Sequence, residues 1–186
     1  MGHFYYARHF GVLGAATIVL FGLSRWDLIS GSLMISFAIS GALHAGALVL
    51  TLRSPQGVLR KASFIALAAV LSVFTMYVGI LGLVLFAALP GNERLYAVLG
   101  LCSLTGAITY GSLIRLFWIR KFSSRLILSM AFLCVLATWL AFFAKIHADF
   151  LGGWWLASAW WFTLSGALRF FDTHPNALSR PQYNSP

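Results

Sequence analysis

Charge is what this chain is short of. Only 9% of its 186 residues are Asp, Glu, Lys or Arg, where a soluble domain carries about 25%. That excludes a soluble fold, and a hydrophobic content of 60% excludes disorder, which needs low hydrophobicity and high charge. Acidic residues are scarcer still. Asp27, Glu93, Asp149 and Asp172 are the whole set, and each falls at a predicted membrane boundary or beyond it. The apolar runs therefore hold no carboxylate of the kind that proton- or sodium-coupled carriers place at depth, and no carboxylate pair for glycoside hydrolysis.

Metal-ligating and nucleophilic groups are equally sparse. His44 is the one histidine that the sequence places deep in an apolar run. A haem held between helices would want a second deep His or Met, so neither haem nor metal is expected, and the identity of any other cofactor stays open. The two cysteines, Cys102 and Cys134, stand in apolar runs without CxxC spacing, which reads as buried thiols rather than a disulfide or metal site. The residue two before Ser165 is Thr163, not Gly, so the nucleophile turn of a serine hydrolase is not assembled. No nucleophile–base pair is visible in the sequence, and an enzyme is not the expected reading.

What is present is apolar length. The mean hydropathy is +0.87, and charges punctuate the chain into six charge-free stretches: 9–24, 28–52, 62–92, 95–114, 126–144 and 150–168. All but the first are long enough for a spanning helix. The first spans if its helix begins near Phe4 and Arg8 snorkels to the headgroups. A cleaved signal peptide is the competing reading, but Arg25, Trp26 and Asp27 follow the run where small residues should stand. Six spans of about 20 residues use about 120, leaving short loops and no room for an extramembrane catalytic domain. Turn residues fall between the runs, at Ser54-Pro55 and Gly57 and at Pro90-Gly91-Asn92; Ser123 and Ser124 are capping candidates. The predicted fold is all-α: a polytopic membrane protein of six transmembrane helices in three short-looped hairpins, 4–53, 62–120 and 126–171. Residues 1–171 form one transmembrane domain, and 172–186, with Pro175, Pro181 and Pro186, form a polar tail.

Thirteen Lys and Arg against four acids leave a net charge of +9. Nucleic acid is not the implied partner, because a basic stripe with base-stacking aromatics is missing. The bases sort by side instead. Ten fall at the N-terminus, second loop, fourth loop and C-terminal end, and three, Arg25, Arg94 and Lys145, in the other loops. The positive-inside rule then places both termini in the cytoplasm of a cell with an inner membrane. Trp26, Tyr96, Trp154 and Trp155 fall at predicted outer ends and Tyr5, Tyr6 and Trp118 at inner ends, as interfacial belts require. Arg115, Arg120, Lys121 and Arg125 crowd the fourth loop and are the expected contact with anionic lipid.

Two patterns bear on function. Small residues recur four apart: Ser103, Ala107 and Gly111; Ala42 and Gly46; Gly11 and Ala15. They permit close helix approach within the chain, or association with other subunits or a second copy. The other pattern is a layer. Counted from the cytoplasmic charges, His44, Ser72, Tyr110, Trp160 and Trp161 all lie about 12–16 Å deep. Neutral imidazole and phenol can hydrogen-bond a carbonyl and indole can cover a flat ring, which would suit a lipid- or quinone-like ligand. The plainer account is a polar cluster that staples helices. The sequence thus predicts a non-catalytic inner-membrane subunit or accessory protein, packed against partner helices and lipid. The alternative is a small transporter or channel for a neutral or anionic solute.

Overall fold

A computed structural model describes residues 2–25, 32–51, 57–117, 124–148 and 159–166. Among these, every regular element is a helix: α1 (Gly2–Arg25), α2 (Leu33–Thr51), α3 (Val58–Leu85), α4 (Gly91–Phe117), α5 (Ser124–Ala148), and a shorter helical run over 159–166. Four helical stretches are long and apolar enough to cross a membrane: Leu33–Thr51, Val58–Leu85, Gly91–Phe117 and Leu126–Ala144. The shortest of these is 19 residues, about 28 Å of helix, close to the hydrocarbon thickness of about 30 Å. Such helices point to a membrane-embedded protein. In α1 the apolar helical part is shorter, Ala7–Leu20. Residues 26–31, 52–56, 118–123, 149–158 and 167–186 lie outside the described residues, and with them Trp26, Pro55, Arg120, both ends of the expected sixth span 150–168 and the 172–186 tail.

The break between α3 and α4 shows how the sequence ends one helix and starts the next. The helix stops at Leu85, and Phe86 leaves helical geometry at φ −99° and ψ 22°. Two turn bonds follow, Ala87 N–H to the Val84 carbonyl and Leu89 N–H to the Phe86 carbonyl. Pro90 has no N–H to continue the ladder, while its carbonyl accepts the Arg94 N–H at 3.2 Å, within the first turn of α4. The Arg94 side chain then reaches back. Its Nε donates to the Leu89 carbonyl at 3.2 Å and its Nη2 to the Ala87 carbonyl at 2.5 Å. The side chain thereby satisfies carbonyls of the turn beyond the end of α3, which have no ladder partner of their own.

Each helix packs on the next in chain order, and the contacts set the register. Rising numbers on one helix meet falling numbers on its neighbour. His9 and Thr17 of α1 meet Thr51 and His44 of α2. Gly41 and Gly46 of α2 face Ser72 and Ile65 of α3, and Gly79 and Gly82 of α3 face Cys102 and Val98 of α4. Gly100 and Gly111 of α4 face Trp139 and Ile127 of α5. The core holds Leu48, Phe64, Ala107, Tyr110, Ile114, Met130, Cys134 and Leu164, with Trp161 beside them.

The small residues behave differently from helix to helix. Ser103, Ala107 and Gly111 are buried together on α4, where Ser103 Oγ accepts from Thr138 of α5 at 3.2 Å. On α2 the close approach falls at Gly41, one position before Ala42, because the buried face runs through Ser36, Ser40, Gly41, His44 and Leu48. On α1, Gly11 and Ala15 are exposed; the inward stripe is His9, Leu13 and Leu20. Spacing alone identifies a small-residue face, but the larger residues that share a helix decide which face turns inward.

Candidate functional site

The sequence-derived layer is assembled from four helical segments. Tyr110 of α4 is its centre, 2% exposed. Its hydroxyl donates to the Ala68 carbonyl of α3 at 2.5 Å and accepts from Ser72 Oγ at 2.6 Å. Its ring meets Trp160 and Trp161 edge-on, with centroids 5.4 and 4.8 Å away. The two indoles stand perpendicular to each other, 5.0 Å apart. Trp160 Nε1 donates to the Ser103 carbonyl at 3.2 Å, and its ring lies over Gly106, where a Cβ would come within 3.1 Å of the indole. Trp161 stacks on His44, 5.1 Å between centroids and 7° between planes. All five residues therefore belong to one contact network.

His44 is fully buried, and its hydrogen bonds define its tautomer. Nδ1 lies 2.8 Å from the Ser40 carbonyl, one turn back on α2. A carbonyl only accepts, so Nδ1 carries the proton and Nε2 is the acceptor. Facing Nε2 is Thr17 Oγ1 at 3.4 Å, the longest polar contact in the layer. The Thr17 proton has a nearer acceptor, the Leu13 carbonyl at 3.0 Å. Thr17, His44 and Ser40 thus follow a hydroxyl–base–orienting-group order. As a nucleophile the hydroxyl is directed away from the base, and helical backbone N–H groups are spent on the ladder rather than free to form an oxyanion hole.

Sequence reasoning missed several members. Thr17 could have been found by the same depth count, since it lies nine residues from Arg8. Ser40, the Ala68 carbonyl and Gly41 carry no such signal: backbone acceptors and close approaches emerge only when helices pair. His9 is a second buried histidine, beyond the single deep one expected. Its Nδ1 bonds Thr51 Oγ1 at 2.7 Å, and Thr51 itself donates to the carbonyls of Ala47 and Leu48. The α1–α2 pair is held by two His–Thr contacts of opposite sense, His9 to Thr51 and Thr17 to His44. The neighbouring helix shields His9, which a depth count along its own helix cannot anticipate.

The basic set is only partly described. Arg115 is exposed, with Nη1 3.5 Å from Ser124 Oγ. Arg60 reaches the same end of the bundle, donating to the Leu116 carbonyl at 3.1 Å and lying over the Phe117 ring. Arg120, Lys121 and the Arg125 side chain lie outside the description. Among the described residues, no three His, Cys, Asp or Glu side chains come together.

Among the described residues, then, every regular element is a helix, four helical stretches are long and apolar enough to cross a membrane, and an aromatic–polar layer joins α2, α3, α4 and the run over 159–166. No protein-family model matches the chain, and comparison with curated proteins and with solved structures likewise finds no match.

Proposed function

We propose that this chain is a non-catalytic subunit or accessory protein of a bacterial inner membrane, crossing it six times as three hairpins with both termini cytoplasmic. In this reading α3 is the face offered to a helix of a partner subunit. The observation that carries it is a seam on α3. Leu67, Val70, Phe74, Tyr77, Leu81 and Val84 are 41–69% exposed, and they alternate three and four residues apart over more than four turns. That is the spacing of a helix-pairing seam. The opposite face carries the four buried residues Phe64, Ala68, Met76 and Gly82.

The aromatic–polar layer then holds the subunit's own helices in place, since the polar atoms of Ser72, Tyr110 and Trp160 each bond to another helix of the chain. A lipid- or quinone-like hydroxyl would enter at His44 Nε2, in place of Thr17. Site-specific photo-crosslinking in cells tests the seam. A crosslinking residue at Val70, Phe74, Tyr77 or Leu81 should give one discrete adduct with a single protein, and at the buried Met76 should give little. Adducts without the three–four period, or lipid adducts alone, would sink the subunit reading.

A further inference from the structure

A groove of about 570 Å³ runs between α4, α5 and Phe86 just past the end of α3. Its walls include Phe86, Ala97, Leu104, Phe132 and Trp139, and Gly100 is among them. Three features describe what would fill it. The first is chemistry: the walls are hydrocarbon or aromatic, and the Trp139 N–H is already donated to the Tyr96 carbonyl at 2.9 Å. The second is length. On α4 the lining runs from Ala97 to Leu104, about 10 Å, in the half of that helix next to the α3–α4 turn; on α5 it runs from Trp139 to Leu128, about 16 Å, well short of the hydrocarbon core of about 30 Å. A partner helix would need the whole thickness.

The third is charge at one end. Arg94, Ala97, Leu101 and Leu104 follow one stripe of α4, spaced three, four and three residues apart. Arg94 therefore stands one turn beyond the groove, at the α3–α4 turn. Its guanidinium is fixed by the carbonyls of Leu89 and Ala87, the latter next to the lining residue Phe86. A guanidinium has five donors, more than these two bonds use. Glu93, the exposed acid beside it, projects about 100° round the helix.

We propose that this groove binds one acyl chain of an anionic diacyl phospholipid of the surrounding bilayer, with Arg94 holding the lipid phosphate. Arg94, which the charge count treats as a minor topology signal, becomes a headgroup ligand at the end of the bundle opposite Arg115.

The test uses Trp139 as a built-in reporter. The full chain is reconstituted in phosphatidylcholine vesicles with a minor fraction of acyl-brominated phosphatidylglycerol or acyl-brominated phosphatidylcholine. The emission of Trp139 is the difference between wild type and Trp139→Phe. It should be quenched by the phosphatidylglycerol probe at a concentration about five-fold lower. Arg94→Gln should abolish the preference while leaving chain quenching intact. Phe132→Trp adds a second reporter without touching the Trp139–Tyr96 bond, and should show the same preference. Equal quenching by both headgroups would reduce the groove to ordinary lipid contact and overturn the proposal. Absence of quenching by either would mean that a second copy of the chain covers the groove, and would overturn the proposal too. The α3 seam shares no residue with the groove lining, so its crosslinks stand or fall separately.

Discussion

Gly41 is where α2 and α3 come closest, and replacing it by alanine tests the layer from its edge. A Cβ at that position would lie 2.8 Å from the Ala68 carbonyl oxygen and from Ser72 Cβ, and closer still to Ser72 Oγ. Ordinary carbon–oxygen contact begins near 3.4 Å, so the backbones must part by about 0.6 Å, or the helices must turn. Ala68 is backbone and cannot swing aside. Ser72 can, but only by leaving its 2.6 Å bond to Tyr110. Overpacking of this kind costs about 1–3 kcal/mol, and one interhelical hydrogen bond in a membrane protein about 0.6–1.7 kcal/mol. Alanine's better helix propensity offsets up to about 1 kcal/mol. The expected net loss is about 2–3 kcal/mol, a large part of a stability of about 5–15 kcal/mol. Reversible unfolding of the purified protein by SDS in mixed micelles measures it, for Gly41→Ala, Ser72→Ala and the double variant. The double variant should lose less than the two singles together, because without Oγ there is no bond to break and less to collide with. A loss below about 0.5 kcal/mol for Gly41→Ala, or additivity within about 0.5 kcal/mol, would refute this account of the α2–α3 contact.

Tyr110→Phe should cost about 1–3 kcal/mol in the same assay, from two interhelical hydrogen bonds, and leave the two indoles packed; a change below about 0.5 kcal/mol would mean that Ser72 and the Ala68 carbonyl need no phenol. His44→Leu should lower stability by about 0.5–1.5 kcal/mol through the lost stack on Trp161 while the protein still inserts, and should abolish retention of a quinol analogue, whose hydroxyl can donate, if His44 Nε2 is the ligand acceptor; retention unchanged in the variant would remove that role. Reporter fusions after Arg53, Arg120 and Phe171 should read cytoplasm and those at Trp26, Gly91 and His147 the outside, and a cytoplasmic signal at Gly91 would end the six-span topology. Replacing Arg120, Lys121 and Arg125 together by Gln should weaken insertion or anionic-lipid retention, each near-surface cation being worth about 1 kcal/mol; unchanged topology and lipid content would count against the fourth loop as the lipid contact.

The sequence alone determined that this is a helical protein whose helices are long and apolar enough to cross a membrane. Hydrophobic length between charges is a one-dimensional property, and a bilayer leaves few backbone solutions for it. Depth is one-dimensional as well, at a fixed rise per residue, which is why His44, Ser72, Tyr110, Trp160 and Trp161 could be assigned to one level before any contact was known. Rotation about the helix axis is different. In a chain apolar on nearly every side, hydrophobicity does not mark the inward face, so Gly41 could not be told from Ala42, nor His9 recognised as buried. Only the tertiary structure decided which carbonyls Tyr110 and Trp160 would meet, that Thr17 would face His44, and that Arg94 would fold back over the end of α3. Those choices depend on how neighbouring helices interlock. In lipid, close packing and the pairing of polar groups set that interlocking, and neither is written along a single helix.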